Sequence, residues 1–182
     1  LGDGLHGTPK YTINGDYFFI NGNNLNNGKI EIKENTKRVN NYEFNKYKKN
    51  LNSRTVFVSI NGTLGNVAFY NNEKIILGKS ACYFNLEDNI EKVYIKYVLS
   101  SRYFIQYAHR EATGATIKNV SLKSMRDFKV PLPSLQEQQS IVSKLDELSA
   151  ETKRLEEIYK MKLDDLDELK KSILEKAFRG EM

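Results

Sequence analysis

The sequence holds a single cysteine, Cys82. No intramolecular disulfide can form, which fits a reducing, cytoplasmic setting. Cys82 lies beside Tyr83 and Phe84 in an apolar stretch, so a small buried hydrophobe is expected there, not a reactive thiol. No apolar run approaches the roughly 18 residues that a bilayer crossing needs. The start, Leu1-Gly2-Asp3-Gly4, has neither a basic nor an apolar leader segment, so no signal peptide is expected. The two histidines, His6 and His109, have no nearby cysteine and no H-E-x-x-H, which argues against zinc. Gly78-Lys79-Ser80 has the ending of a phosphate-binding loop, but the glycine needed five residues earlier is Glu73. Gly62-Thr63-Leu64-Gly65 is not G-x-G-x-x-G and reads as a turn between strands. There is no D/N-P-P-Y/F/W, the sequence with which an amino-methyltransferase positions its target base. No catalytic or metal-binding residue is nominated.

What is present describes a binding protein. Hydrophobic residues make up 40% and charged residues 28% of the 182, ordinary for a globular chain with one core and an extension, or two small domains. The net charge of +5 is unevenly spread. Residues 1–133 carry 19 Lys/Arg against 11 Asp/Glu, a net +8, and residues 134–182 carry 9 against 12, a net −3. The first part can hold a polyanion, and the tail has the mixed charge of a solvated helix.

The first ~90 residues read as β-rich from short β-branched and aromatic runs. These are Tyr17–Ile20, Thr55–Ile60, Asn66–Tyr70 and Ala81–Phe84. Asn14-Gly15, Asn21-Gly22, Asn27-Gly28 and Asn61-Gly62 supply the positive φ that tight turns need. The Asn-rich stretch Asn21–Asn27 is expected to be an exposed loop. Residues 88–109 switch to helical spacing, with Asp88 or Asn89 as cap and Val93, Tyr97, Tyr103 or Phe104, and Tyr107 recurring. Thr113-Gly114-Ala115-Thr116 breaks that helix. A short strand is expected over Phe128-Lys129-Val130, stopped by Pro131-Leu132-Pro133.

The tail opens on Ser134 and Glu137, an S-x-x-E capping box. No Gly or Pro follows until Gly180. That predicts roughly 43 helical residues, or ~64 Å at 1.5 Å per residue. Steps of four and three from Ile141 pass through Leu145, Leu148, Leu155, Tyr159, Leu166, Leu169 and Ile173, a coiled-coil seam that needs a partner. Lys162 interrupts the seam. The expected fold is therefore α+β: a mixed α/β domain over 1–133 followed by a long coiled-coil helix over 134–182.

Lys33, Lys37, Arg38, Lys46, Lys48, Lys49 and Arg54 crowd a segment interleaved with Tyr42, Phe44 and Tyr47. Such residues neutralise phosphates with release of counterions. Asn and Gln match adenine, and Arg or Lys match guanine, in the major groove. A solvated basic surface accounts for the same composition.

The junction separates these readings. Ala112-Thr113-Gly114-Ala115-Thr116-Ile117-Lys118-Asn119-Val120, followed by Phe128-Lys129-Val130-Pro131-Leu132-Pro133-Ser134-Leu135-Gln136-Glu137-Gln138-Gln139-Ser140-Ile141-Val142, resembles the end of a target-recognition domain entering a helical region. The family is the specificity (S) subunits of type I restriction–modification systems. Gly7-Thr8-Pro9 is similar to the family's early element, Gly62-Thr63-Leu64-Gly65 to its central turn, and Leu169–Glu181 to its helix end. The proline-to-E-Q-Q-x-I-V junction is the most specific match.

The resemblance implies a module that binds a half-site of a bipartite target in double-stranded DNA and docks a methyltransferase (M) subunit. No cofactor is implied in this chain: S-adenosylmethionine would sit on the M subunit, and ATP and Mg on an added restriction (R) subunit. Members carry two recognition domains and two helical regions where this chain has one of each, so the chain is expected to be either a half-sized subunit or one half of a longer protein, and the unpaired seam favours an antiparallel homodimer. Helices of that length separate two domains by ~50–60 Å, about 15–18 base pairs at 3.4 Å each. Two-fold symmetry then requires an interrupted palindrome. DNA contacts are expected from Lys10, Tyr11, Asn23, Asn24, Lys37, Arg38, Arg54, Thr113, Thr116, Lys118 and Asn119. Two other assignments stay open: the recognition portion of a fused methyltransferase–nuclease, and a coiled-coil adaptor without a DNA role.

Overall fold

A computed structural model describes residues 1–181. The chain runs β1 (Gly2–Asp3), β2 (Tyr11–Thr12), β3 (Tyr17–Ile20), β4 (Leu25–Asn26), β5 (Lys29–Ile30), β6 (Arg38–Val39), α1 (Asn41–Tyr47), β7 (Thr55–Ser59), β8 (Val67–Phe69), β9 (Ile75–Leu77), β10 (Ala81–Asn85), α2 (Lys92–Ser100), α3 (Arg102–Glu111), α4 (Leu122–Asp127) and α5 (Leu135–Phe178). This is the α+β class with a long C-terminal helix, as the sequence predicts. Among the described residues no helix is long and apolar enough to cross a membrane.

Two four-stranded sheets share the core. One has the order β1-β10-β7-β8 and is antiparallel throughout. The other has the order β2-β6-β3-β9, with β3 and β9 parallel. β7 is buried along its whole length, which is why Thr-Val-Phe-Val-Ser reads as a continuous run and not as an alternation. Phe57 lies in a cluster with Ile20, Leu25, Ala68, Ile75, Leu77 and Ala81. Cys82, on β10, is fully buried. Asn27 and Gly28 both have positive φ, 43° and 86°, and close the two-residue turn between β4 and β5.

Three local expectations are corrected. The helix expected over 88–109 is two helices, capped by Glu91 and not by Asp88 or Asn89. Ser101 divides them: its hydroxyl donates to the Val98 carbonyl (2.6 Å) and accepts from the Phe104 N–H (3.4 Å). Phe128-Lys129-Val130 is extended at Phe128 but pairs with no strand among the described residues. The Phe128 ring instead packs against Tyr103, Phe104 and Tyr107, with centroids 5.0–5.3 Å apart. The Asn21–Asn27 stretch is not a free loop. It holds a 3-10 turn over Gly22–Asn24 and then β4, with Asn24 and Leu25 buried.

The first compact unit runs from Leu1 to Gln139 and includes the first turn of α5; a second begins at Ser140. At the start of α5, Glu137 accepts from the Ser134 N–H (2.9 Å) and hydroxyl, and Ser134 Oγ accepts from the Glu137 N–H (3.3 Å). These bonds form the reciprocal cap that S-x-x-E predicts, and they hold the Glu137 carboxyl below its ordinary pKa. Beyond Gln139 the seam side chains are exposed or half-exposed: Leu148 at 63%, Leu166 at 60%, and Leu145 intermediate.

Candidate nucleic-acid interface

Four shallow depressions on the first unit share lining residues in succession. Tyr11, Asn35, Thr36 and Lys37 are common to the first and second. Asn21 and Asn23 are common to the second and third, and Asn61 to the third and fourth. The shared residues make one groove, running from Ile13 and Arg38 at one end to Asn119 and Leu122 at the other.

Each wall is fixed by hydrogen bonds that the sequence alone does not display. Antiparallel pairing of β2 with β6 sets Tyr11 opposite Val39, and so beside Lys37 and Arg38. The buried Glu43 carboxylate of α1 accepts from the Lys10 N–H (2.9 Å) and holds that segment from behind. Thr36 Oγ1 accepts from the Lys33 N–H (2.8 Å), closing a turn that presents Lys33, Asn35 and Lys37.

The next wall is the turn at Asn21–Asn24. Asn24 Oδ1 accepts from the Asn21 N–H (2.9 Å), and Asn24 Nδ2 donates to the Glu31 carbonyl (2.9 Å). Ser80 Oγ accepts from the Gly22 N–H (2.7 Å) and donates to Asn21 Oδ1 (3.1 Å). A Cβ at Gly22 would come within 2.8 Å of Ser59 Cβ, so the close approach requires glycine. Asn23 is left exposed at the tip.

The last wall joins distant segments. Asn61 Nδ2 donates to Asn119 Oδ1 (3.1 Å), and the Gly62 N–H to the Lys118 carbonyl (2.9 Å). Thr113 and Asn119 exchange both backbone bonds at 2.9 Å, which closes the loop around Gly114. Gly62 has φ 77° and Gly114 φ 93°, values that favour glycine.

The nominated residues divide on this geometry. Tyr11, Asn23, Lys37, Arg38 and Asn119 line the groove. Lys10 is exposed next to Tyr11, and Thr113 and Lys118 are exposed next to Asn119 through the bonds above; Thr116 is exposed in the same loop. Asn24 also borders the groove, but it is 8% exposed and its amide is committed inside the fold. Its side chain is thus held within the fold and not presented to the groove as Asn23 is. Arg54 lies away from the others: its guanidinium donates to the Glu87 and Ile90 carbonyls, clamping the loop before α2, and it is not among the residues lining these depressions. Arg38 is partly engaged, its guanidinium 4.6 Å over the Phe18 ring and donating to the Gly15 carbonyl (3.2 Å).

Sequence reasoning missed Asn35, Asn61, Thr63 and Lys79 as lining residues, and Glu43 and Ser80 as supports. The Lys33–Arg38 basic run was the available signal for Asn35. Nothing local marks Glu43 or Ser80, because each acts across more than 30 residues. The groove offers cations and amides and only two acids, Asp3 and Glu34. Such a lining suits a polyanion whose bases expose hydrogen-bonding edges.

Comparisons with known proteins agree on one kind of molecule. A sequence model of the family described as "Type I restriction modification DNA specificity domain" matches residues 8–165. The chain is 24% identical over 160 residues to the type I restriction enzyme EcoBI specificity subunit of Escherichia coli, covering 87% of this chain and 34% of that protein. It is 27% identical over 103 residues to the EcoDI specificity subunit of the same organism, covering 57% and 23%. The chain thus spans about a third or less of the curated relatives it matches. A solved chain from work on complex assembly and conformational transition of the type I R-M system superposes with TM-score 0.66 at 21% identity, covering 97% of this chain and 43% of that one. The type I S subunit from M. genitalium gives 0.50 at 21% identity, covering 82% and 35%.

Proposed function

The chain belongs to the type I restriction modification DNA specificity domain family, and from that premise we propose that it is the non-catalytic DNA-reading part of a type I restriction–modification complex. It binds a half-site of a bipartite double-stranded target through the groove of its first unit. The observation that carries this reading is the gathering of Lys33, Lys37, Asn23, Asn35 and Tyr11 around one open depression. Lysines hold phosphates and set position, while amides and hydroxyls reach base edges.

The catalytic chemistry is assigned to partners. A methyltransferase (M) subunit with S-adenosylmethionine methylates adenine N6. A restriction (R) subunit uses ATP and Mg to cleave unmodified DNA. Docking is assigned to α5, whose exposed apolar side chains Leu148, Leu155, Leu166, Leu169 and Ile173 need cover. An identical helix run antiparallel supplies that cover and makes the target an interrupted palindrome.

Methylome sequencing of cells expressing the chain with an M subunit tests the reading. N6-methyladenine in an interrupted palindrome is expected. An asymmetric bipartite motif keeps the DNA-reading role and replaces the homodimer with a second, different recognition domain. No new methylation, with the M subunit active on another S subunit, overturns the reading in favour of an adaptor role.

A further inference from the structure

Reading a base requires a side-chain amide that the fold leaves uncommitted. Four of the asparagines along the groove are engaged. Asn24 bonds Asn21 N and the Glu31 carbonyl, Asn21 accepts from Ser80, and Asn61 is paired with Asn119. Among the described residues no hydrogen bond engages the side chains of Asn23 or Asn35. Both are exposed, and both line the same depression. Asn23 sits on the turn before β4, and Asn35 on the Lys33–Thr36 turn.

The two turns are also tied to each other. The Asn24 side chain donates to the Glu31 carbonyl (2.9 Å), and the Glu31 N–H donates to the Asn24 carbonyl (2.7 Å). Each uncommitted amide is therefore one residue from Asn24 or a short turn from Glu31, on a frame that these hydrogen bonds fix. Lys33 and Lys37 flank the same depression, where they can hold backbone phosphates.

We propose that Asn23 and Asn35 are specificity-determining residues of the half-site, each presenting its carboxamide to a base edge. The carboxamide is one acceptor beside one donor pair, which matches the N6 donor and N7 acceptor of adenine in the major groove. Asn24, between them in the frame, reads nothing. This inference rests on the DNA-reading function proposed above and adds which side chains discriminate.

The experiment compares methylomes of the wild-type chain, Asn23→Ala, Asn35→Ala and Lys37→Ala, each assembled with the same M subunit. Both asparagine variants are expected to keep thermal stability and to relax the motif at one half-site position. The loss of discrimination there is on the order of 5- to 150-fold. Lys37→Ala is expected to weaken all sequences alike, lowering the salt slope by about 1, and to keep the motif. Asparagine variants that methylate an unchanged motif with unchanged efficiency overturn the inference while the DNA-reading function stands. A wild-type chain that yields no motif at all overturns both.

Discussion

The side-chain amide oxygen of Gln138, on the first turn of α5, accepts a hydrogen bond from the backbone N–H of Glu91, the N-cap of α2, at 2.9 Å. The Gln138 amide nitrogen donates to the Pro133 (2.8 Å) and Asn89 (3.4 Å) carbonyls. Gln138 is 2% exposed, so one buried amide ties the start of α5 to the loop and cap of α2 within the first unit. Gln138→Leu keeps the volume but strands the Glu91 N–H and two carbonyls. We expect it to lower stability by about 1–3 kcal/mol. Gln139→Ala, exposed on the next position, should stay within about 0.5 kcal/mol of wild type. Equal midpoints for the two variants in urea would remove Gln138 from this role.

The cap beside it predicts a pH effect. The Ser134 hydroxyl and N–H hold the Glu137 carboxyl below its ordinary value. A carboxyl whose pKa is lowered by folding contributes stability that is fully present above its ordinary, unfolded value, and that contribution is lost as pH falls through the lowered one. Helical content at the start of α5 should therefore loosen in strong acid. Glu137→Gln should flatten that part of the acid profile, as read by amide exchange at residues 135–138. An unchanged profile in the variant would show that the carboxylate contributes nothing there.

How far the sequence reveals this fold depends on how much of each element's cause is local. Thr55–Ser59 was legible because burial on both faces leaves an unbroken β-branched or apolar run, and Ala81–Phe84 because its apolar side chains run on without interruption. α5 was legible to within a residue at its start, since Ser134 and Glu137 are a local cap. Two-residue strands such as Tyr11–Thr12 and Arg38–Val39 carry no period, so pairing alone defines them. Ser101 was hidden because Ser in a helical pattern looks tolerable until its hydroxyl is seen closing one helix and opening the next. In the groove, Tyr11, Asn23 and Lys37 were legible as exposed polar or basic types. Asn24 was not separable from Asn23, because its burial comes from bonds to Glu31 and to a turn held by Ser80, 58 residues from Gly22.

Cys82 offers a simple probe of folding. Burial pushes its thiol up to about 12, so almost no thiolate exists at neutral pH and no path leads a reagent to it. Labelling by a disulfide reagent should be orders of magnitude slower in the folded chain than in denaturant. Rapid labelling of the folded chain would mean that β10 opens readily from its sheet.

The exposed seam of α5 carries the last prediction. Leu148, Leu155, Leu166, Leu169 and Ile173 repeat at coiled-coil spacing and are between 46% and 63% exposed. Covering what remains exposed of these side chains is the gain that the proposed antiparallel pairing would draw on. The wild-type chain should sediment as a dimer at micromolar concentration without an M subunit. Leu155→Asp with Leu166→Asp should leave a monomer whose first unit stays folded, because both positions lie beyond Gln139. Lys162 tests what the seam gives up in apolar burial for register. Its ammonium lies 5.8 Å over the Tyr159 ring, at a position where the repeat calls for an apolar residue. Lys162→Leu should tighten the dimer and admit alternative registers, seen as broadened distances between spin labels placed on α5, since a polar residue at one core position fixes register at a cost in stability. A monomeric wild-type chain would assign the seam to another partner's helix, and a Lys162→Leu dimer no tighter than wild type would remove Lys162 from the seam core.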